Sequence, residues 1–183
     1  MIKEILDEWD FYYEKSEEIV TPVVLPHNPV NVDLDGNNHW QGLCYYRRTI
    51  SSKNLPEDQI YKLFFGGAMH TAVIRIDDTF VAVHEGGYLP FEVDITSWLQ
   101  DEEEHELLVQ LDNRDNPDIA PGKELDELDF CWYGGLYRQV ELRSYPLIHI
   151  TESTTANKIA GGGVFVRTLS VNEEQVSVEA KIH

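Results

Sequence analysis

The stretch Asp126-Glu-Leu-Asp-Phe-Cys-Trp-Tyr-Gly-Gly-Leu-Tyr-Arg138 stands directly before the alternating segment Gln139-Val-Glu-Leu-Arg143. The alternation predicts a strand, and the pair Gly134-Gly135 predicts a tight turn that needs a positive φ or a close backbone approach. The aromatic residues of the stretch are too many and too closely spaced for a solvated loop. We therefore expect the chain to be organised around this stretch.

Asp129 is the unusual charge of the stretch because it lies between the apolar residues Leu128 and Phe130. A carboxylate in an apolar setting is either paired within the protein or placed to bind a ligand. Capping of the turn or pairing with Arg138 is the structural alternative, and a ligand contact is the functional one. The residues alone leave both open.

Short alternating segments separated by turn signals make up most of the remaining chain. We predict strands at Trp9–Tyr13, Gly42–Ile50, Ile60–Phe65, Thr71–Ile76, Phe80–His84 and Glu106–Leu111. Asp77-Asp78 predicts a hairpin turn, and Asp94–Leu99 predicts one short helix with Asp94 as its N-cap. The pattern is typical of an all-β protein, an antiparallel jelly-roll β-sandwich.

Two connecting segments complete this part of the chain. Val23–Pro29 is interpreted as an extended connector punctuated by proline. Asp112–Gly122 is a long polar loop, and a loop of that length in a compact β domain is usually functional.

The character of the sequence changes after Tyr145-Pro146, so we predict a domain at 1–145 and a second unit at 146–183. The second unit has three predicted strands, Leu147–Thr151, Gly163–Leu169 and Val176–Ile182. So few strands cannot bury a two-layer core, which indicates the truncated beginning of a second sandwich. Its unpaired strand edges also allow pairing with a second copy of the chain, so a homo-oligomer is one alternative.

The composition excludes several classes of partner. A net charge of −19 over 183 residues argues against nucleic acid and against an anionic membrane. Acidic residues occupy the place of the apolar core of an export signal, so we expect a cytoplasmic protein. Cys44 and Cys131 are predicted as buried thiols, and the seven histidines show no paired metal spacing, so no metal site is predicted.

Six segments between Leu6 and Arg138 together resemble the N-terminal sugar-binding domain of family-2 glycoside hydrolases, which include β-galactosidases, β-glucuronidases and β-mannosidases. They follow the family's order: Leu6–Phe11, Leu25-Pro-His27, Tyr45–Thr49, Phe65-Gly-Gly-Ala-Met-His70, His84–Thr96 and Asp129–Arg138. The resemblance implies a jelly roll, then an immunoglobulin-like sandwich, of which 146–183 is the start, then a (β/α)₈ barrel.

The same resemblance places the two catalytic glutamates in the barrel, one of them in an Asn-Glu pair. The one Asn-Glu pair here, Asn172-Glu173, lies in a predicted turn of the tail and is interpreted as chance. Retaining hydrolysis needs two carboxyl groups about 5–5.5 Å apart across the scissile bond. No catalytic residue is therefore assigned, and the chain alone is predicted to be inactive.

The resemblance implies a supporting role for Asp129, which in family members reaches the barrel mouth and contacts sugar hydroxyls, in some with a sodium ion nearby. Further candidate contacts on the substrate side are His70, Asn113 and Trp132. No other cofactor is implied. The implied partners are carbohydrate and the remaining domains of the same polypeptide.

Two features disagree about the sugar. Met69-His70 resembles the β-glucuronidase-like branch, whereas Trp132–Arg138 resembles the β-galactosidase form, which is the interpretation we favour. A β-glucuronidase domain is one alternative. A freestanding carbohydrate-binding module that stacks sugar on Tyr88 and Trp132 is another, although core packing explains both aromatics more readily.

Overall fold

The structure is a computed structural model that describes residues 2–16, 19–29, 40–53, 55–100, 104–124, 127, 134–152 and 162–183. These residues contain two short 3-10 helices, Glu14–Ser16 and Thr96–Leu99. The strands are β1 (Ile2–Ile5), β2 (Glu8–Tyr13), β3 (Thr21–Val24), β4 (Leu43–Ser51), β5 (Gln59–Phe65), β6 (Thr71–Ile76), β7 (Thr79–Glu85), β8 (Phe91–Asp94), β9 (Glu104–Asp112), β10 (Val140–Pro146), β11 (Val164–Val171) and β12 (Val176–Ile182).

Two antiparallel sheets face each other. One has the strand order β1-β10-β5-β8, and the other has the order β3-β2-β4-β9-β6-β7. Within the described part of the chain, β11 and β12 form a separate two-stranded hairpin. The predicted antiparallel jelly-roll sandwich is confirmed. The domain boundary at 146 stays a prediction, and β10 runs up to it.

The core lies between the two sheets because each strand alternates buried and less buried side chains, as expected for a sheet with one face covered. In β4, Cys44, Tyr46 and Ile50 point inward, and in β9 Leu107 and Leu111 do the same. Complete burial of such a side chain contributes about 1.5–3 kcal/mol. The buried thiol predicted for Cys44 is confirmed, and Cys131 lies outside the described residues.

The predicted aspartate turn is confirmed, whereas the predicted N-cap of the short helix is wrong by one residue, because the cap is Ile95 and not Asp94. Asp77 and Asp78 connect β6 to β7 with φ values of 48° and 62°, as a two-residue turn with both residues left-handed requires. The Asp94 carboxylate accepts hydrogen bonds from the backbone nitrogen and the hydroxyl of Thr96, at 2.9 and 2.6 Å, where the short helix begins. That helix is a 3-10 helix.

Four predictions about secondary structure were wrong. Three strands were missed: β1, β8, and β3 at Thr21–Val24, whose last two residues were assigned to the connector Val23–Pro29. All three are edge strands, and an edge position explains why β3 tolerates Pro22. Leu147–Thr151 was predicted as a strand but is irregular, and Ile148 is 93% exposed, so no sheet face holds it.

In the described residues, no helix has the length and apolar character that crossing a membrane requires.

Candidate functional site

From Gly134 onward the stretch that contains Asp129 is described again, and there the chain is held by neighbouring loops. Asp129 and Trp132 themselves lie outside the described residues, so their predicted roles are not tested. The carbonyl of Gly135 accepts a hydrogen bond from the backbone nitrogen of Met69 at 3.1 Å. The carbonyl of Leu136 accepts one from the backbone nitrogen of His27 at 2.9 Å. Residues 134–138 are hereafter called the root of the Asp129 segment.

One side of the root packs against Tyr46, which is fully buried in β4. The Tyr46 hydroxyl lies 2.8 Å from Nδ1 of His27, and burial lowers the pKa of His27, which favours the neutral imidazole. Gly135 has a φ of +77°, and a Cβ atom there would lie 2.6 Å from Cδ of Pro29. The predicted need for a positive φ and a close approach is therefore confirmed at Gly135.

The other side of the root is held by the two glycine pairs that follow β5 and β7. The Tyr137 hydroxyl donates a hydrogen bond to the carbonyl of Gly87 at 2.5 Å. The Arg138 guanidinium donates to the carbonyls of Gly66 and Tyr88, at 3.1 and 3.2 Å. These bonds tie two loops to one short segment, which holds the root at one end of the sandwich.

A small pocket of about 240 Å³ opens beside the root. It is lined by Pro26, His27, Asn28 and Tyr137. The side-chain oxygen of Asn28 accepts a hydrogen bond from the backbone nitrogen of Gly134 at 3.1 Å. The pocket therefore borders the point at which the Asp129 segment joins the sandwich.

His70 and Asn113 lie near each other, because the backbone nitrogen of His70 donates to the carbonyl of Asp112 at 3.1 Å. Each is 2% exposed. Nε2 of His70 lies 2.9 Å from the carbonyl oxygen of Arg114, and burial lowers the pKa of His70. The Asn113 side chain accepts from the backbone nitrogen of Gly42 at 2.8 Å. The described contacts of both residues hold the start of the long loop, and a sugar contact by either stays a prediction.

The loop also starts with a charged pair. Nε of Arg114 donates to the Asp112 carboxylate at 2.9 Å. Although burial acts to raise the pKa of Asp112, the hydrogen bonds and charge of Arg114 hold it below its usual value of 3.8. Asp112 therefore stays ionised at neutral pH and is already bound by a neighbour.

The described residues contain no group of three or more His, Cys, Asp or Glu side chains arranged to hold a metal ion. The sodium ion that the family resemblance implies would be bound beside Asp129, which lies outside those residues.

Sequence reasoning missed His27, Asn28, Tyr46 and Tyr137 as residues that hold the root. Leu25-Pro-His27 was noted only as a family landmark, and Tyr46 only as part of an aromatic strand. Gly135 was the one indication in the sequence, because a glycine that needs a close approach implies a bulky neighbour. Which residue that neighbour is depends on the fold.

A comparison with known protein families identifies the family to which this chain belongs. The model described as glycosyl hydrolases family 2, sugar binding domain, matches residues 6–146. The chain belongs to this family. The matched region includes every strand of the sandwich except β1, and the Asp129 segment and its root lie inside it.

Curated relatives of this sugar-binding domain carry two activity names. A β-galactosidase of Thermoanaerobacter pseudethanolicus is 35% identical over 106 residues, which cover 55% of this chain and 14% of the relative. A β-glucuronidase of Paenibacillus borealis is 26% identical over 183 residues, which cover 91% of this chain and 30% of the relative. The chain therefore spans less than a third of the length of these relatives.

Solved structures agree with the assignment. The Bacteroides uniformis β-glucuronidase 2, covalently bound to cyclophellitol-6-carboxylate aziridine, matches with a TM-score of 0.76 and 27% identity. The match covers 98% of this chain and 22% of that structure. Enzymes named β-galactosidase and enzymes named β-glucuronidase therefore both share this family with the chain.

Proposed function

We propose that this sugar-binding domain is the non-catalytic N-terminal domain of a retaining β-glycosidase that hydrolyses terminal β-linked sugars, with β-galactosidase as the first choice. In this proposal Asp129 contacts sugar hydroxyls at the mouth of a catalytic barrel in the same polypeptide. The observation that supports it is the root at 134–138, held from both sides, because it gives the preceding segment a firm base.

The chemistry of a carboxylate suits this role. An ionised aspartate accepts several hydrogen bonds, and bonds to a charged group are stronger than neutral ones. The aspartate would bind and orient the sugar, while the acid/base and the nucleophile would come from the barrel. The isolated chain should accordingly release no nitrophenol from nitrophenyl β-galactoside or β-glucuronide above the buffer rate.

The choice of β-galactosidase depends on the form of the segment Trp132–Arg138. β-Glucuronidase is the alternative, since relatives of both names match the chain. Comparing kcat/KM of the complete enzyme on the two nitrophenyl glycosides decides between them, because only the correct sugar fills its site well.

Replacing Asp129 in the complete enzyme tests the proposal. Asp129→Asn keeps the shape but removes the charge, and a hydrogen bond to a charged group is worth about 1.5–3 kcal/mol. The expected loss in kcat/KM is about ten- to two-hundredfold. A variant that keeps its kcat/KM but melts at a lower temperature would show that Asp129 only supports the turn.

Asp126→Asn and Glu127→Gln are matched controls, since they remove charges from the same stretch at positions with no assigned role. Both should leave kcat/KM near the wild-type value. A loss as large as that of Asp129→Asn would mean that the overall charge of the stretch matters, and not one carboxylate.

A second candidate is a freestanding carbohydrate-binding module. Tyr88, 40% exposed beside the root, is the observation in its favour. Calorimetry with free galactose distinguishes the two. One face of a shared site should bind more weakly than about 1 mM, since a few exposed hydrogen bonds barely offset the cost of association. A micromolar dissociation constant would favour the freestanding module.

We further propose that residues 146–183 begin an immunoglobulin-like sandwich that later strands of the polypeptide complete. The hairpin exposes apolar side chains, including Val166 and Val178 at 58% each. A two-stranded hairpin is marginally stable alone. Extending the chain with the residues that follow in the gene should slow hydrogen exchange in β11 and β12, and unchanged exchange would contradict the proposal.

A further inference from the structure

We propose that Tyr46 is a positioning residue for the sugar site: its buried hydroxyl holds the root of the Asp129 segment in place. This inference rests on the proposed function of Asp129. Tyr46 lies in the middle of β4, far from the segment in sequence, and it reaches the root through the interior of the sandwich.

Two hydrogen bonds connect Tyr46 to Leu136 through His27. The Tyr46 hydroxyl lies 2.8 Å from Nδ1 of His27. The backbone nitrogen of His27 donates to the carbonyl of Leu136 at 2.9 Å. The two bonds thus join β4, the loop after β3 and the root.

The protonation states decide which group donates in the bond between Tyr46 and His27. Burial raises the pKa of Tyr46 well above 10 and lowers the pKa of His27, so the phenol is protonated and the imidazole neutral at neutral pH. The hydroxyl therefore donates to Nδ1 of His27, 2.8 Å away.

The core leaves the Tyr46 ring little freedom. Tyr46 is 0% exposed and packs against Phe11, with ring centroids 5.1 Å apart, and against Trp9 at 6.4 Å. Close-packed interiors restrict side chains to one arrangement. Packing consequently fixes the position of the Tyr46 hydroxyl, and the hydroxyl in turn determines the position of the root.

Gly135 completes the arrangement, because its backbone lies directly against the same hydroxyl with no room for a Cβ atom. The root cannot move toward the core without a clash, and the two hydrogen bonds through His27 oppose its moving away. A substitution at Tyr46 should therefore weaken the attachment of the root and of the segment that precedes it, while the sandwich keeps its fold.

Hydrogen exchange on the 183-residue chain tests the structural half of the inference. Tyr46→Phe removes the hydroxyl that bonds to Nδ1 of His27 and so weakens the connection between β4 and the root, so amide exchange at Gly135 and Leu136 should rise about tenfold or more. The matched control is Tyr61→Phe. Tyr61 is 3% exposed, and its hydroxyl donates to the carbonyl of Pro56, away from the root. Equal exchange at the root in the two variants would overturn the inference.

A double-mutant cycle in the complete enzyme tests the functional half. Tyr46→Phe should lower kcat/KM about tenfold, but it should have little further effect in an Asp129→Asn background, because residues that act through one another are not additive. Tyr61→Phe should leave kcat/KM unchanged in both backgrounds. Fully additive losses would overturn the positioning role.

The two proposals fail in different ways. If Asp129→Asn leaves kcat/KM unchanged, the proposed function is overturned, and the sugar-site role of Tyr46 is overturned with it. If Asp129→Asn lowers kcat/KM while Tyr46→Phe does not, the proposed function stands and the inference about Tyr46 alone is overturned.

Discussion

The hydroxyl of Tyr46 occupies the space that a Cβ atom on Gly135 would need, less than 3.0 Å from where that atom would lie. Gly135 also has a φ of +77°, a conformation that side chains disfavour. The two residues lie on different elements, one in the middle of a core strand and the other in the root of the Asp129 segment. Their contact joins the hydrophobic core to the candidate sugar site.

Gly135→Ala should lower the free energy of unfolding by about 2–5 kcal/mol, because a left-handed residue costs about 1–2 kcal/mol and an overpacked core about 1–3 kcal/mol. Urea denaturation measures the loss. Gly122→Ala is the control, since Gly122 has a similar φ of +71° but would meet only the carbonyl of Pro117 at 3.0 Å. Equal losses in both variants would mean that the contact with Tyr46 contributes nothing.

Acidification should destabilise the domain through three histidines. Burial holds the pKa values of His27, His70 and His84 below the usual 6.5. In the unfolded chain they bind protons near pH 6.5, so unfolding takes up protons below that pH. Their contribution to stability is complete above pH 6.5 and falls as the pH drops toward the folded pKa values. Urea unfolding above and below pH 6.5 measures the decline, which His84→Gln should make shallower. A stability that rises on acidification in this range would contradict the prediction.

Glu92→Gln should be strongly destabilising. The Glu92 side chain is 3% exposed and accepts hydrogen bonds from Arg143 at 3.2 Å and from the Tyr145 hydroxyl at 2.8 Å. Removing one partner of a buried ion pair costs about 3–5 kcal/mol, because the other charge stays buried. Since Glu141 still pairs with Arg143 at 2.6 Å, we expect a loss near the lower end, about 3 kcal/mol.

Asp10→Asn provides the comparison for that variant. Asp10 pairs with Arg47 at 3.7 Å, and the side chains are 47% and 37% exposed. Exposed ion pairs contribute about 0–1 kcal/mol, so this change should be nearly neutral in the same denaturation experiment. If both variants lose similar stability, burial of the Glu92 pair does not decide its strength.

The turn between β6 and β7 allows a paired test of neighbouring aspartates. The Asp77 carboxylate accepts from the backbone nitrogen of Glu106 at 2.9 Å and contacts Nδ1 of His105 at 2.6 Å. Asp77→Ala should therefore lower the free energy of unfolding by about 1–2 kcal/mol. Asp78→Gly should be neutral or stabilising, because glycine suits the left-handed φ of 62°. Thermal unfolding of both variants checks the order, and a reversed order would contradict it.

Much of the fold follows from local patterns in the sequence. The alternation in β2, β4 and β9 predicted both the strands and the side chains that face the core, because successive side chains of a strand point to opposite faces. Two consecutive aspartates marked the turn after β6, since Asp tolerates a left-handed conformation. At the candidate site, Gly135 alone was predicted correctly from its own chemistry.

The sequence by itself therefore determined the all-β class, most strand positions, the aspartate turn and the need for glycine at 135, because each depends on a residue and its immediate neighbours. The tertiary structure alone decided that β1 and β3 are edge strands, since edge strands form through backbone hydrogen bonds to a neighbour and need no alternating pattern. It also decided that His27, Tyr46 and Leu136 meet, because contacts between distant residues depend on the order in which strands pair.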